Sequence, residues 1–417
     1  MKYNPQETEK SILKFWEEYQ IYQKVKEKVQ SGKVYYFLDG PPYTSGKVHI
    51  GTAWNKSLKD MVLRYKRMKG FNVWDRAGYD MHGLPTAHKV EEKLGIKHKD
   101  EIPKFGIQKF VEECRKLAVD NMEAMNKTFK SIGVWMNFDN AYTPITKEFM
   151  EGEWWLIKKA HENQRLYEGE KVMHWCSSCA TSLAKHELEY ENVTDESIFL
   201  KLKVKGAEKS KISGTTDRGT ENEFLVIWTT TPWTIAYNLG VMVNPEQDYV
   251  KAKVGDEIWI VAKALVTSFV SAVVGKEFRI IEEFKGEKLQ GVEYVHPYYN
   301  TLKDIYDKLK EKSPNVHTVF LSEEYVDTSS GSGLVHCAPG CGPEDYEVGR
   351  EYGVLPFNNL DEFGNYPEEM KEFAGLNAKK DNKKFIEKLD ELGALIATNP
   401  VEHEYAHCWR CKSPVIF

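Results

Sequence analysis

The chain has 417 residues, of which 41% are hydrophobic and 29% are charged. That length exceeds what one hydrophobic core usually serves, so we expect two or three domains. The net charge of -6 does not indicate a nucleic-acid binder, although a local basic groove would not be visible in such a sum. Seven cysteines, an odd and small number, argue against a disulfide framework and favour a reducing compartment.

No stretch approaches the roughly 18 consecutive apolar residues of a membrane span. The first ten residues, MKYNPQETEK, lack the apolar centre of a signal peptide. We therefore predict a cytoplasmic protein without a membrane partner. Internal repeats and low-complexity tracts are not visible in the sequence, so the expected domains are ordinary globular ones.

The first part of the chain has the pattern of an α/β domain. A helix is predicted over residues 9–25, and its expected core residues recur at helical spacing: Ile12, Leu13, Trp16 and Tyr19. Next, KVYYFLDG predicts a short buried strand that ends at Gly40. After a loop rich in Pro and Gly, apolar residues predict an amphipathic helix that stops at Gly70: Trp54, Leu58, Met61, Val62 and Tyr65. The strand-like run FNVWDRAGYD follows. Strand, glycine loop, helix and strand predict a parallel, Rossmann-like sheet.

The loop over residues 40–52 is a candidate anion site. In a parallel α/β sheet, ligands bind beyond the carboxyl ends of the strands, and a helix N-terminus there attracts anions. The loop matches neither GxxxxGK[ST] nor GxGxxG. It does place His49, Ile50 and Gly51 at the start of the helix, where an imidazole can donate to phosphate oxygens. The alternative is an ordinary Pro/Gly turn with an exposed histidine.

The sequence pattern changes after about Glu187. Short runs rich in β-branched and aromatic residues predict strands: ESIFLKLKV, EFLVIWTT, DYVKAKV, DEIWIVAKA and EFRIIEEF. We predict a β-rich barrel or sandwich with a few helices, one of them near residues 301–312. The polar segment 209–222 is expected to be an exposed loop. A second change near Pro400 divides the chain into a first α/β part, an inserted β-rich part and a return stem: 1–186, 187–399 and 400–417.

Two CxxC pairs flank the β-rich part, Cys176 with Cys179 and Cys408 with Cys411. Each pair has the spacing of half a zinc site, and four thiolates around zinc form a closed structural site. The long interval between the pairs makes their spacing only moderate evidence. An insertion, however, brings its two stems together, so we predict that one zinc ion joins them. A redox-active CxxC pair is the alternative.

Two long stretches, DGPPYTSGKVHIGTAWNKSLKDMVLRYKRMKG and GYDMHGLPTAHKVEEKLGI, resemble the class I aminoacyl-tRNA synthetases and, within them, the isoleucyl branch. The resemblance implies that the HIGH signature, which holds the phosphates of ATP, falls on His49, Ile50, Gly51 and Thr52. Thr52 stands where the family usually has a second histidine. A hydroxyl at this position can donate one hydrogen bond, but it cannot carry a positive charge.

The same resemblance implies an amino-acid and ATP site lined by Gly40, Pro41 and Pro42. In it, Asp80 would bind the ammonium group of the substrate through a charge-assisted hydrogen bond. The alternative for Asp80 is a helix cap before MHGLP.

A second resemblance concerns WTTTPWT at residues 228–234 and GSGLVHCAPGCGPEDYEVG. Both resemble the editing domain inserted into isoleucyl-, valyl- and leucyl-tRNA synthetases, and Pro-Trp-Thr is the isoleucyl version. A pocket built for isoleucine cannot exclude valine, which is one methylene smaller, so a second site hydrolyses the wrong ester. The resemblance implies these editing residues: Thr229, Thr230, Thr231, Trp233, Asn238, His336 and Asp345.

Within that set the resemblance implies separate roles. Asp345 would bind the ammonium group of the misattached valine, the three threonines would contact the adenosine and the amino acid, and His336 would lie against the side chain or the ester. Trp233 would form one wall, and Asn238 would support the pocket. A water molecule would be the nucleophile. Cys337 and Cys341 lie close to His336 in the sequence, so a Cys-His thioesterase is the alternative.

The resemblance as a whole implies ATP-dependent attachment of isoleucine to tRNA(Ile) and editing of valyl-tRNA(Ile). Its catalytic residues would be His49, Thr52, Thr230 and Asp345, its cofactors a structural Zn²⁺ and the Mg²⁺ of ATP, and its active form a monomer. The sequence has no KMSKS-like lysine loop. We therefore expect the N-terminal portion of a longer enzyme, with amino-acid activation impaired. The alternatives are a valyl or leucyl relative and a non-catalytic tRNA-binding fragment.

Overall fold

The structure is a computed structural model that describes residues 4–97, 99, 101–206 and 222–417. The chain divides into two compact units, Met1–Gly169 and Glu170–Phe417. The segment 209–222, predicted to be an exposed loop, lies outside the described residues except for its last residue. Across the described ranges, none of the helices combines the length and the apolar character needed to cross a membrane.

The first unit contains helices and short parallel strands. The helices are α1 Pro5–Glu18, α2 Ile21–Lys28, α3 Ile50–Met68, α4 Leu84–Leu94, α5 Glu101–Phe105, α6 Ile107–Ser131 and α7 Lys147–Glu162. The strands are β1 Val34–Tyr36, β2 Asn72–Trp74, β3 Arg76–Gly78 and β4 Asn137–Tyr142. Strand β1 pairs in parallel with β2, and β3 pairs in parallel with β4. The unit is therefore a mixed α/β structure with parallel strand pairs, as its sequence pattern predicts.

The helix predicted over residues 9–25 is two helices, α1 and α2. Gln20 between them adopts a left-handed conformation with φ of 52°, which interrupts the helix. Trp16 packs edge-on against Trp135 with ring centroids 4.9 Å apart. Ile12 and Tyr19 are 42% and 49% exposed, so the prediction that they are core residues was wrong. Helical spacing determines which residues share a face, but it does not determine whether another element covers that face.

Helix α3 turns a polar face toward the core of its unit. Its buried residues are Lys56, Asp60, Leu63 and Arg67. The charged members are paired: Arg67 Nη2 lies 2.5 Å from Asp75, and Asp60 accepts the backbone N–H of Trp135 at 2.8 Å. The predicted apolar residues lie on the exposed side: Trp54, Leu58, Met61, Val62 and Tyr65. The helix forms where its periodicity predicts, with its charged face buried.

Strand β1 also forms where the sequence predicts it, but it is not buried. Val34 and Tyr36 are 63% and 66% exposed. The prediction of a buried strand was therefore wrong, because an apolar run indicates the capacity to pair and does not indicate what covers its faces.

The second unit is rich in strands. They are β5 His174–Cys176, β6 Thr181–Leu183, β7 Leu188–Val204, β8 Glu223–Thr229, β9 Gly240–Val243, β10 Asp248–Val254, β11 Glu257–Ala262, β12 Arg279–Lys285, β13 Tyr294–Val295, β14 Thr318–Leu321, β15 Val335–Cys337 and β16 Leu395–Cys408. The helices are α8 Lys303–Lys312, α9 Pro343–Glu351 and α10 Asn382–Glu391. Short 3₁₀ and π segments connect them at Lys185–Glu187, Pro232–Tyr237, Thr267–Val273, Gly286–Leu289 and Glu368–Phe373. The predicted strand runs and the helix near residues 301–312 are confirmed.

Most of these strands form one large mixed sheet, ordered β12-β10-β11-β8-β15-β9-β14, in which β7 pairs with β8, β13 and β16. Strands β7 and β16 form a long antiparallel ladder whose last pair is Leu188 with Cys408. The two ends of the β-rich segment therefore lie side by side, as expected for an insertion. The β-rich character is confirmed, and closure into a barrel stays a prediction.

Candidate functional sites

Two neighbouring strands of the large sheet, β8 and β15, run parallel and end at the same edge. Trp228 of β8 pairs with Val335 of β15. The residues that follow, Thr229–Thr231 on one strand and His336–Ala338 on the other, are therefore side by side. The loops that follow parallel strands lie at the same edge of the sheet, and ligands often bind at that edge. The structure thus brings together two of the predicted editing segments, which are distant in the sequence.

The threonine loop, defined as residues 229–234, is held in shape by its own hydroxyl groups. Thr229 Oγ1 accepts the backbone N–H of Thr231 at 3.1 Å, and Thr234 Oγ1 donates to the carbonyl of Thr231 at 2.8 Å. Thr230 between them is half-buried. Within the described residues its hydroxyl has no hydrogen-bond partner. That hydroxyl is therefore available to a ligand, whereas its neighbours maintain the loop.

His336 is buried, and both of its ring nitrogens have partners. Nε2 lies 2.9 Å from Thr234 Oγ1, and Nδ1 lies 3.4 Å from the amide nitrogen of Asn238. Burial lowers the pKa of His336 to about 4, so the ring is neutral at pH 7. The two ring nitrogens therefore connect His336 to the threonine loop and to Asn238. The predicted contact of His336 with the ester stays a prediction.

Asp345 lies in the first turn of α9 and is half-buried. Its Oδ2 accepts the backbone N–H of Ala338 at 2.8 Å, so it lies beside the end of β15. Burial raises the pKa of Asp345 to about 7, and the hydrogen bond from Ala338 opposes that rise. A carboxylate that loses hydration in this way gains from a cationic ligand, so the position suits an ammonium group.

Two other predicted features of this edge have different surroundings. Trp233 is 2% exposed and packs in the core, edge-on to Tyr237 with ring centroids 6.4 Å apart. Its role as a pocket wall stays a prediction. The thiol of Cys337 lies 3.6 Å from the carbonyl oxygen of Asp345, and burial raises the pKa of this thiol well above its ordinary value. Because His336 contacts Thr234 and Asn238, the geometry offers no support for a Cys-His nucleophile.

In the first unit, the glycine loop runs alongside Asp80. The N–H of Asp80 donates to the carbonyl of Pro42 at 2.9 Å, and the N–H of Thr44 donates to the carbonyl of Asp80 at 2.9 Å. These bonds place Asp80 next to the Gly40–Pro42 turn that the sequence predicts as its partner. Helix α4 begins after its N-cap residue Gly83, so the alternative of Asp80 as a helix cap was wrong.

His49 is the N-cap residue of α3. Its Nδ1 accepts the backbone N–H groups of Gly51 at 3.1 Å and Thr52 at 3.4 Å. A nitrogen that accepts carries no proton, so the neutral ring carries its proton on Nε2. His49 is exposed, and that N–H can donate to an anion at the helix N-terminus. A Cβ atom at Gly51 would lie 3.0 Å from the imidazole, so glycine leaves room for the cap.

Asp39, which directly precedes this loop, is a residue that sequence reasoning missed. It is fully buried and accepts from Lys56, from Lys59 at 2.9 Å and from the N–H of Gly78 at 3.0 Å. Lys59 also donates to the carbonyl of Gly40 at 2.9 Å, so the ion pairs of Asp39 with the two lysines stabilise the turn at Gly40. Burial lowers the pKa of Lys56, and the charge of Asp39 opposes that shift. The available signal was the spacing of the two lysines, which lie one turn apart on the face of α3 opposite its apolar residues.

The four predicted metal ligands form one cluster: Cys176, Cys179, Cys408 and Cys411. Their sulfur atoms all lie within 4.8 Å of one another. A tetrahedral zinc site with bonds of about 2.3 Å places its sulfurs about 3.8 Å apart, so the cluster has the size to hold such an ion. Hydrogen bonds from the Cys176 and Cys179 thiols lower the pKa of Cys411, and the same contacts raise the pKa of Cys179.

The two cysteine turns have matching geometry. The residue after each CxxC pair adopts a left-handed conformation, with φ of 46° at Ala180 and 57° at Lys412. Ser178 and Ser413 join the turns through their hydroxyl oxygens, 3.0 Å apart. Four sulfurs converging from two matching turns favour metal binding over the alternative of a redox pair, which needs only two.

Comparison with known proteins identifies the class. Residues 11–407 match the family described as tRNA synthetases class I (I, L, M and V). The chain therefore belongs to the class I tRNA synthetases.

Individual relatives are more specific. The isoleucine–tRNA ligase of Pyrococcus abyssi is 45% identical over 100% of this chain and 38% of its own length. That of Methanocaldococcus jannaschii is 44% identical over 99% of this chain and 39% of its own length. That of Methanopyrus kandleri is 41% identical over 99% of this chain and 38% of its own length. The predicted class is thus confirmed, and the chain spans less than two fifths of the length of these curated relatives.

Proposed function

We propose that this chain is the part of an isoleucine–tRNA ligase that carries a hydrolytic editing site and one half of the ATP and isoleucine site. The observation that supports the editing proposal is the parallel pairing of β8 with β15, because Thr230 follows the first strand and Asp345 accepts the N–H of Ala338, which follows the second. Each presents a polar group that has no partner among the described residues, the Thr230 hydroxyl and the second carboxylate oxygen of Asp345. The isoleucine–tRNA ligases that match the whole chain support the choice of amino acid.

The editing reaction would be hydrolysis of the ester in valyl-tRNA(Ile). Asp345 as a carboxylate would hold the valyl ammonium group, and Thr230 would donate to an oxygen of the ester. A water molecule adds to the ester carbonyl, the bond from carbon to the ribose oxygen breaks, and a proton moves to that oxygen. The products are valine and uncharged tRNA. Side chains then contribute by positioning and by electrostatic stabilisation, without a covalent intermediate.

The synthetic half-site would bind ATP and isoleucine around the glycine loop. The Nε2–H of His49 would donate to a phosphate oxygen at the N-terminus of α3, and the positive end of the helix dipole adds to that attraction. Gly51 and Thr52 would lie beside the phosphates, and Gly40, Pro41 and Pro42 would line the pocket. Asp80 would bind the ammonium group of isoleucine. The Mg²⁺ that accompanies ATP would neutralise phosphate charge.

The cysteine cluster would hold one Zn²⁺ as a structural ion. Thiolates are the ligands that zinc prefers in closed tetrahedral sites, and the cluster lies where β7 begins and β16 ends. Such an ion would join the two strands of the stem at their base. We further propose the divisions 1–186, 187–399 and 400–417, for which the β7–β16 ladder gives support. Monomeric state and cytoplasmic location stay predictions.

The test is a deacylation assay on the 417-residue chain with valyl-tRNA(Ile) and isoleucyl-tRNA(Ile). We expect loss of valine only, and its abolition in Asp345→Ala. The matched control is Glu351→Ala, which removes an exposed carboxylate from the same helix and should retain the wild-type rate. Equal hydrolysis of both esters would contradict the isoleucyl assignment. Tight tRNA binding without hydrolysis would favour the non-catalytic tRNA-binding alternative.

A further inference from the structure

A chain of hydrogen bonds leads from the protein core to the threonine loop. It begins at Tyr294, which is 3% exposed and whose hydroxyl contacts Asn238 Oδ1. The amide nitrogen of Asn238 lies 2.8 Å from the carbonyl of Gly240 and 3.4 Å from Nδ1 of His336. From His336 the chain continues to Thr234.

The direction of every hydrogen bond in this chain follows from the Asn238 amide, whose nitrogen faces the carbonyl of Gly240 and whose oxygen faces the Tyr294 hydroxyl. A carbonyl oxygen only accepts, so Tyr294 donates to Asn238, and the NH₂ group of Asn238 then faces Gly240 and His336. Because Nδ1 of His336 accepts, its proton lies on Nε2 and is donated to Thr234 Oγ1 at 2.9 Å. Thr234 in turn donates to the carbonyl of Thr231 at 2.8 Å.

We propose that Tyr294 is a positioning residue of the editing site: together with the carbonyl of Gly240 it orients the Asn238 amide, which favours the Nε2–H tautomer of His336 and thereby holds the threonine loop. This inference rests on the proposed editing function. Tyr294 lies far from the loop in the sequence, and no motif of the sequence points to it. The loop it reaches contains Thr230, whose hydroxyl has no partner among the residues that the structure describes and so can contact the substrate.

The structural consequence of the relay is that His336 has no nitrogen left to activate water. It holds the loop, and the loop presents Thr230. Removing the Tyr294 hydroxyl takes away one of the two contacts that orient the Asn238 amide and leaves its buried oxygen without a donor, while the contact with the Gly240 carbonyl remains. With the amide reversed, its oxygen would face Nδ1 of His336 and favour the other tautomer, which has no proton to donate to Thr234.

The test compares Tyr294→Phe with Tyr306→Phe in the 417-residue chain. Both tyrosines are buried in the same core, and the Tyr306 hydroxyl donates to the backbone carbonyl of Ala236 at 2.9 Å, outside the relay. Tyr294→Phe loses the hydrogen bond to Asn238, and Tyr306→Phe loses the bond to Ala236 and a 3.5 Å contact with Nε2 of His296, so the control should be destabilised at least as much. The tautomer of His336 is read from its ring ¹⁵N shifts by NMR, with the signals identified by their loss in His336→Gln.

We expect the wild type and Tyr306→Phe to show the Nε2–H tautomer, and Tyr294→Phe to show a mixture. For valyl-tRNA(Ile), we expect kcat to fall about tenfold or more in Tyr294→Phe with a smaller change in KM. The reason is that a misplaced loop affects the positioning of Thr230 in the bound complex more than it affects binding itself. Tyr306→Phe should retain kcat. A wild-type tautomer and kcat in Tyr294→Phe would overturn the proposal, as would equal losses in both variants.

The two readouts separate this proposal from the proposed function. If the wild-type chain hydrolyses no valyl-tRNA(Ile), the editing function fails in this chain, while the tautomer measurement still decides whether Tyr294 sets the state of His336. If the chain hydrolyses the ester and Tyr294→Phe changes neither readout, the editing function stands and the positioning role is rejected.

Discussion

The carboxylate of Asp345 accepts the backbone N–H of Ala338 at 2.8 Å. This bond joins the first turn of α9 to the end of β15 and uses one of the two carboxylate oxygens. Burial raises the pKa of the group to about 7. A single hydrogen bond therefore fixes where Asp345 lies without compensating its negative charge, and this imbalance leads to the first prediction.

Asp345→Asn should stabilise the folded chain at pH 8 and have little effect near pH 4. In the unfolded chain the carboxyl ionises near its ordinary pKa of about 4, while the folded value is about 7. Ionisation thus opposes folding, and stability is lost as the pH rises from about 4 through 7. Asparagine keeps an oxygen for the Ala338 N–H and removes the charge. Urea unfolding midpoints at pH 5 and pH 8 measure the difference.

The control for this experiment is Asp327→Asn, which should have the opposite sign. The hydroxyl and N–H of Ser329 donate to Asp327 and hold its pKa below the ordinary value. Its charge therefore favours folding at neutral pH. An Asp345→Asn effect that does not grow between pH 5 and pH 8 would show that the carboxylate is better hydrated than its position suggests.

The cysteine cluster predicts one tightly bound metal ion for each chain. Cys179→Ser should lose the ion and lower the melting temperature, because the ion joins the two turns at the base of the stem. Metal analysis and thermal unfolding with and without a chelator measure this. Cys114→Ser is the matched control, since Cys114 lies on α6 of the first unit and outside the cluster. Full metal content in Cys179→Ser would contradict the four-cysteine site.

Three buried histidines should make the second unit sensitive to acid. Burial lowers the pKa of His317 and His336 to about 4 and also holds the pKa of His296 well below its ordinary value. In the unfolded chain histidine titrates near about 6.5, so the unfolded state binds more protons between pH 6.5 and 4. Stability is therefore fully present above pH 6.5 and falls as the pH drops through this window.

Urea midpoints across this window test the histidine prediction. His317→Asn should reduce the slope, and asparagine suits the positive φ of 61° at that residue. His82→Asn changes an exposed histidine of the first unit and should leave the slope unchanged. Equal slopes for both variants would mean that His317 is protonated in the folded chain.

Helix α3 and the threonine loop show what the sequence could predict and what it could not. Periodicity located α3, but it did not predict which face is buried. The apolar Trp54 is exposed, whereas the charged Lys56 is buried because it pairs with Asp39. That ion pair joins two segments of the chain, and the spacing of residues within either segment does not predict it. The predicted editing residues rest on a resemblance of short motifs.

The connection of the predicted editing residues Asn238 and His336 to Tyr294 was not predictable, since it depends on how β13 packs against the sheet. Hydrophobic pattern and turn residues are local signals. Buried ion pairs and side-chain relays arise only when distant segments meet.

His49 allows its capping role to be separated from anion binding. His49→Ala removes the acceptor for the Gly51 and Thr52 N–H groups, and we expect it to lower the free energy of unfolding by about 1 kcal/mol. His49→Asn keeps a side-chain acceptor at the N-cap and should be close to the wild type in stability, but it lacks the Nε2–H that would reach a phosphate. Urea unfolding of the three proteins measures the cap. Equal destabilisation by alanine and asparagine would show that the imidazole does not cap α3, and the tautomer inferred from that bond would lose its basis.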